Sequence, residues 1–510
     1  MLNLHQKRNK LFQLFTKRMT WLLLLFGVVL IAPVSAQNPL VNQTIEKAKV
    51  LRNEKKFGEA ARLLGDFEKK YPGNLWIEQL YAQTLFWLKD YRTADLVYRR
   101  AIGYHPANPD LRYGYAEMLF AENKLDEAVQ QLQVYVDLNP QDAAGQAFLG
   151  KVFYYLQQFR KAEKHLALAV GQNPSDKETE SLYREVYRIV SPQLSFAAVY
   201  MNDDQPLQSF GTQVKFQWFV SNALDLDVSG TGFRYFDISD PGIISKIEAG
   251  NRFHFAKAHL TFRLAGAWFY ADALQTQDWG GSVELEKKLG KVVRVSLEAG
   301  RTNYTYTVAS VENNLLMVNQ YALHLAVGKS NGWNGEAGGR YQFFPDDNYV
   351  NAFYAWFLSR PVKLSGFRLA FGYAFNYMDS KEDRFEPKPG NRFQGAAGNV
   401  EGVYVPYYTP HNQYANSLLA NFNYRFSSYA ALYGHASVGV YSQTYAPGYT
   451  LSNTGNYEKT FSYQSYTPLD LGLRFQADIS RKAKFSLDYT FLQTYYYSSH
   501  NVRLAFSYYF

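Results

Sequence analysis

The stretch "GFRLAFGYAFNYM", residues 366–378, alternates without a break. Phe367, Leu369, Phe371, Tyr373, Phe375 and Tyr377 fall on one side, with Arg368, Ala370, Gly372, Ala374 and Asn376 on the other. A period of two is that of a β-strand, whose successive side chains point to opposite faces. The split recurs at Phe485, Leu487, Tyr489 and Phe491 against Lys484, Ser486, Asp488 and Thr490, and at Leu471, Leu473 and Phe475 against Asp470, Gly472, Arg474 and Gln476. One face is apolar and aromatic and the other small or polar, the pattern of a transmembrane barrel with lipid outside and a polar lumen inside.

Such segments begin near residues 193, 210, 224, 243, 258, 279, 292, 316, 333, 347, 364, 414, 429, 467, 483 and 500, which predicts about 16 strands. With both barrel ends on the periplasmic side, connections alternate between long loops and short turns. The even connections, among them "SNA", "AK", "KLGK" and "SRPVK", are short, while the long segments 379–412 and 443–460 fall on odd ones. The 379–412 segment is rich in glycine and aromatics and long enough to fold over one mouth. A soluble sandwich or propeller would hide its apolar face. It would not explain an aromatic content of 17%, with 42 Tyr and 37 Phe, which two interfacial girdles explain directly.

The alternation also sorts the charges. Lys246, Glu248, Arg252 and His254 share one face, followed by His259 and Arg263, Glu284 and Glu286, Arg294 and Glu298. Further round lie Glu336, Arg340, Arg368, Arg425, Asp470, Arg474, Asp478, Lys484, Asp488 and Arg503. An Arg or Lys facing lipid near the midplane would cost about 2–4 kcal/mol, so these are expected to line the lumen. Their signs are mixed, whereas a conduit for a cationic polymer should be lined mainly by acids. Two readings stay open: a conducting pore, or charges that pair across strands and fill the lumen.

Ahead of the strands, residues 38–192 read as helical and repetitive. Pro72, Pro106, Pro140 and Pro174 recur every 34 residues, and Ala60, Ala94, Ala128 and Ala162 keep the same period. Ala48, Ala82, Ala116 and Gly150 hold a second small position, and Phe57, Tyr91, Leu125 and Phe159 a bulky one. This spacing resembles the tetratricopeptide repeat, in which small residues let paired helices approach and proline ends the second helix. Residues 178–190 are expected to close the stack. Such a stack offers a concave surface for protein partners, although a helical spacer that binds nothing has the same sequence features.

Residues 1–36 read as a signal peptide: Lys7, Arg8, Lys10, Lys17 and Arg18, then an apolar run, then a small-residue site before Gln37. Met19 is an alternative start, and a signal anchor would need a longer apolar run. Losing those five cations takes the formal charge from +8 to +3, so the basic balance makes no case for nucleic acid. With no cysteine there is no disulfide, thiolate metal site, cysteine nucleophile or N-terminal lipid anchor.

A signal, a short repeat array and a barrel closing on "NVRLAFSYYF" resemble the YaiO family of outer-membrane β-barrel proteins. They are more distantly similar to PgaA-type exopolysaccharide export porins. The resemblance implies an α+β chain in a Gram-negative outer membrane: residues 1–36 a signal peptide, 38–192 a periplasmic repeat domain of about four repeats, and 193–510 the barrel. It implies that Tyr508 and Phe510 belong to the signal read by the barrel assembly machinery. The functions expected are export or surface assembly of a polysaccharide, or a non-conducting anchor whose repeats bind periplasmic partners. Catalysis, cofactors and metals are not expected. His435 and Ser437 stand two apart, as in barrel enzymes acting on lipid A, but the alternation turns them inward, away from lipid. No HExxH, GxSxG or phosphate-loop pattern occurs.

Overall fold

The computed structural model describes residues 39–205, 207–236, 242–290, 292–312, 315–328, 332–388, 398–451 and 456–510. The expected signal peptide lies outside the described residues. The chain forms two compact units: one runs to Leu156 and includes Gly171–Asn173, and the other comprises Gln157–Val170 and Pro174–Phe510.

The first unit is an antiparallel helix stack: α1 (Pro39–Asn53), α2 (Phe57–Lys70), α3 (Leu75–Leu88), α4 (Tyr91–Tyr104), α5 (Pro109–Ala121), α6 (Leu125–Leu138) and α7 (Ala143–Tyr155). Its core includes Val41, Ala48, Leu64 and Ile77. Two further helices, α8 (Phe159–Gln172) and α9 (Lys177–Val190), continue the chain. Ala60, Ala94, Ala128 and Ala162 are each 0% exposed, because a larger side chain there would hold neighbouring helices apart. Pro72, Pro106, Pro140 and Pro174 all sit in turns. The polar residue two positions after each proline caps the next helix. Asn74 accepts from the Ile77 amide, Asn108 from Leu111, Asp142 from Gly145 and Asp176 from Thr179. Inside each repeat the helix pair is joined through a left-handed residue, Lys55, Lys89, Asn123 or Gln157, with φ between 58° and 64°.

The second unit is built on a closed barrel of 16 antiparallel strands. They are β1 (Gln193–Asp203), β2 (Gln208–Ser221), β3 (Leu224–Phe236), β4 (Ile243–Phe255), β5 (Leu260–Ala271), β6 (Thr276–Leu289), β7 (Val293–Asn303) and β8 (Met317–Gly328). Then follow β9 (Asn334–Phe343), β10 (Tyr349–Leu358), β11 (Phe367–Ser380), β12 (Gln413–Arg425), β13 (Ala430–Leu451), β14 (Leu469–Ser480), β15 (Ala483–Gln493) and β16 (Ser498–Tyr509). Each pairs with its sequence neighbours, and β16 closes on β1 from Gln193↔Tyr509 to Asp203↔Ser499, so no edge is left open. All starts fall within 3 residues of those expected.

Leu194, Phe196, Val228, Leu264, Leu323, Phe371, Leu418, Leu473 and Leu504 form an exposed outward belt. Aromatic residues ring it at both ends. Trp218, Phe255, Trp333, Phe426 and Phe510 lie at the end holding the short turns, and Phe210, Trp279, Tyr321, Tyr341 and Tyr441 at the end holding the long loops. Such a surface is unfavourable in water and matches a hydrocarbon slab with two interfaces. Among the described residues no helix is long and apolar enough to cross a membrane.

Two expectations change. The 443–460 segment is not a loop throughout: β13 runs on to Leu451 and pairs with a strand at Tyr457–Ser465, Tyr445 facing Tyr463. Its alternating tyrosines give that hairpin a face to pack. His259 does not share the inward face of β5. It ends a 3-10 turn at Ala256–Ala258 with φ 49°, because a connection this short needs one left-handed residue.

Candidate functional site in the barrel lumen

The lumen has three zones. At the long-loop end it is filled. The loop after β7 turns inward through a short helix, α10 (Val308–Glu312), and Val311 packs with Leu207, Tyr235, Ile244 and Ala271. The loop after β11 adds a tyrosine cluster: Tyr407 stacks on Phe344 at 3.5 Å between ring centres, with Tyr304, Val318 and Val350 around them. Tyr404, Tyr408 and Tyr496 form a second triangle at 4.7–5.3 Å. Polar ties pin the loop. The Tyr407 hydroxyl donates to Asp346 at 2.7 Å, Arg384 Nε to Asp346 at 2.7 Å, Ser380 to the Pro410 carbonyl at 2.8 Å, and Thr307 to the Pro406 carbonyl.

Burial pushes the Tyr404 and Tyr407 hydroxyls well above their ordinary value, so both stay neutral. Burial alone would raise the Asp346 carboxyl, but hydrogen bonds from Tyr407 and Arg384 hold it below its usual range. Such loop aromatics carry no barrel periodicity, so the sequence offered only their abundance in 379–412 as a signal.

The middle zone is charged. Arg263 on β5 reaches Glu248 at 2.7 Å and Asp227 at 3.1 Å, and Lys246 reaches Glu248 at 2.6 Å, linking three strands. His324 lies 3.7 Å from Glu336, with the Tyr354 hydroxyl bonded to both. Glu298 accepts from Gln320 at 3.0 Å, and beside the short β6–β7 turn Arg294 stands 3.9 Å from Glu286. Arg252, Glu284, Arg340, Arg368 and Arg425 make no ion pair among the described residues, and Arg425 is exposed at the short-turn rim. His435 hydrogen-bonds to Asp470 at 3.0 Å and not to Ser437. Sequence reading missed Asp227, Lys215 and His324, although the alternation was there to place them inward: Leu226 and Val228, Val214 and Phe216, and Leu323 and Leu325 stand on either side of them. Among the described residues no cluster of carboxylates and histidines is arranged to hold a metal ion.

The third zone lies at the short-turn end. A cavity of about 570 Å³ lies inside the seam of β16 and β1, lined by Lys215, Arg474, Lys484, Asp488 and Arg503 together with glutamines and serines. Helix α9 docks beside it. Arg188 meets Asp478 at 2.8 Å and donates to the Ser480 carbonyl at 2.9 Å, Arg184 lies 3.6 Å from Asp478, and the Tyr187 hydroxyl donates to the Phe510 carbonyl at 3.0 Å. Phe510 also donates its amide to the Pro192 carbonyl, and its ring meets Tyr508 at 5.2 Å.

Comparison with known proteins bears first on the helices. Residues 89–152 match the tetratricopeptide repeat. No curated protein matches the chain. Among solved structures it is similar to a "Bacterial polysaccharide outer membrane secretin", with TM-score 0.47 and 10% identity over 63% of this chain and 99% of that one. It is also similar to MamA from Desulfovibrio magneticus RS-1, with TM-score 0.28 and 18% identity over 30% of this chain and 85% of that one. A third is YrrB, described as a TPR protein with an unusual peptide-binding site, with TM-score 0.26 and 17% identity over 28% of this chain and 74% of that one.

Proposed function

We infer that the chain is an outer-membrane conduit that carries a polysaccharide to the cell surface, while its repeats, in the periplasm, dock protein partners. Short turns face the periplasm in such barrels and long loops face outward, which orients the seam cavity toward the periplasm and the tyrosine plug toward the exterior. The observation that carries the reading is that the closing element is made of loops. Tyr404, Tyr407 and Tyr408 belong to the segment between β11 and β12, which pairs with the far end of β13 through Gly398–Val400 but contributes no strand to the ladder that closes the barrel. The lumen behind it offers amides, hydroxyls and charges, the groups that replace water around a sugar chain. The resemblance to the YaiO family and to export porins points the same way. Deleting the gene in its native host tests this: surface or secreted polysaccharide is expected to fall, and an unchanged glycan coat would overturn it.

A second reading has its own support. The Asp227–Arg263–Glu248 bridges and the apolar plug core suit a closed barrel that anchors the repeats as a scaffold. In that case the repeats bind partners and the lumen passes nothing.

A further inference from the structure

Three inward rows run round the seam at the short-turn end, and the register gives each one's order. The first is Lys215, Ser195, Ser507, Lys484. The second is Gln213, Ala197, Ala505, Ser486, Gln476. In the third, Arg503 faces Asp488, which faces Arg474. Serine and alanine therefore floor the cavity along the seam, with amides and cations as its flanks. Lys215 and Lys484 stand three strand spacings apart, about 14 Å, which leaves room for a sugar ring over Ser195 and Ser507. Those two hydroxyls lie 2.8 Å from each other.

The charge is unbalanced. Four cations, Lys215, Arg474, Lys484 and Arg503, line the cavity against one carboxylate, Asp488. Asp488 is already engaged, paired with Arg474 and 3.8 Å from Arg503. The one acid opposite Lys484 in register, Asp478, is taken by Arg188 and Arg184 of α9. Neither Lys215 nor Lys484 makes an ion pair among the described residues. Cations left unneutralised in a concave, low-dielectric wall concentrate anions.

We propose that this seam cavity is a binding site for acidic sugar residues, and hence that the polymer handled is anionic, with carboxylate groups such as those of uronates. The assignment rests on the conduit reading for its role but not for its chemistry. Glutamines Gln213 and Gln476 bind ring hydroxyls, while Lys215 and Lys484 take the carboxylate from either side.

The test is calorimetric titration of the full chain in detergent with hexagalacturonate, maltohexaose and a chitosan oligomer. Hexagalacturonate is expected to bind, more weakly as salt rises, and the Lys215→Gln, Lys484→Gln double variant to lose about tenfold or more. Inorganic sulfate at the same ionic strength is expected to compete poorly, since it lacks the hydroxyl contacts. Equal binding of neutral and acidic sugars, no binding of hexagalacturonate, or an unchanged affinity in a double variant of normal heat-modifiable mobility would each overturn the proposal. Channel block by neutral polymer alone would leave the conduit standing and remove the acid preference. Acid-sugar binding without any channel activity would do the reverse.

Discussion

Glu78 is 0% exposed on α3, and neither of its carboxylate oxygens accepts a well-formed hydrogen bond among the described residues. Arg100 stands 3.5 Å away and is held more closely by Glu68, at 2.8 Å. Burial pushes the Glu78 carboxyl up, and Arg100 draws it only part-way back. An acid whose folded pKa lies above its unfolded one adds stability that is fully present below the ordinary value of 4.5 and is lost as pH rises through the folded value. Glu78→Gln is therefore expected to raise the melting temperature of the helical repeats at pH 7, by about 1 kcal/mol or a few degrees, with little effect at pH 4. Circular-dichroism melts of the full chain check this, and a lower melting point at pH 7 would show that the Arg100 pairing dominates. At this scale the alanine registers were legible, since steric exclusion admits few residues at Ala60, Ala94, Ala128 and Ala162. The left-handed turns were not, because Lys55, Lys89, Asn123 and Gln157 stand where glycine would have announced them. The caps at Asn74, Asn108, Asp142 and Asp176 were visible in hindsight, each two residues beyond a proline.

Among the elements, α9 does more than its sequence announces. Its pattern reads as a helix closing the repeat stack, and Arg184, Arg188 and Tyr187 attach it to the barrel rim at Asp478, Ser480 and Phe510. The arginines lie under aromatic faces as well, Arg184 over Tyr429 at 4.4 Å and Arg188 over Tyr509 at 5.3 Å. Asp478 is 19% exposed and both arginines less, so losing the carboxylate leaves two half-satisfied cations. Asp478→Asn is expected to cost this docking about 2 kcal/mol, read as faster hydrogen exchange across Lys177–Val190 with the strands unchanged. Unaltered protection would mean that the aromatic contacts hold the helix by themselves. The strands were legible throughout because a one-residue slip would turn every apolar side chain into the lumen. The hairpin made by the far end of β13 was not, since an extension beyond the membrane belt has no lipid face to enforce the outward half of the pattern.

For the whole molecule, inward charge was legible but its pairing was not. Which side chains meet depends on the stagger of the closed sheet, so Arg263 and Glu248 could be placed on one face without being placed together, and their partner Asp227 was passed over. The plug was less legible still, because loop tyrosines and girdle tyrosines look alike in composition. The proposed conduit has a polar, cation-rich vestibule behind an aromatic plug. Its most direct test is single-channel recording in planar bilayers, comparing the native chain with a triple variant carrying Tyr404→Ser, Tyr407→Ser and Tyr408→Ser. The native chain is expected to be mostly closed with rare openings, and the variant to give steady conductance. A variant that inserts as a folded barrel yet passes no current would contradict the account and leave the closed scaffold in its place.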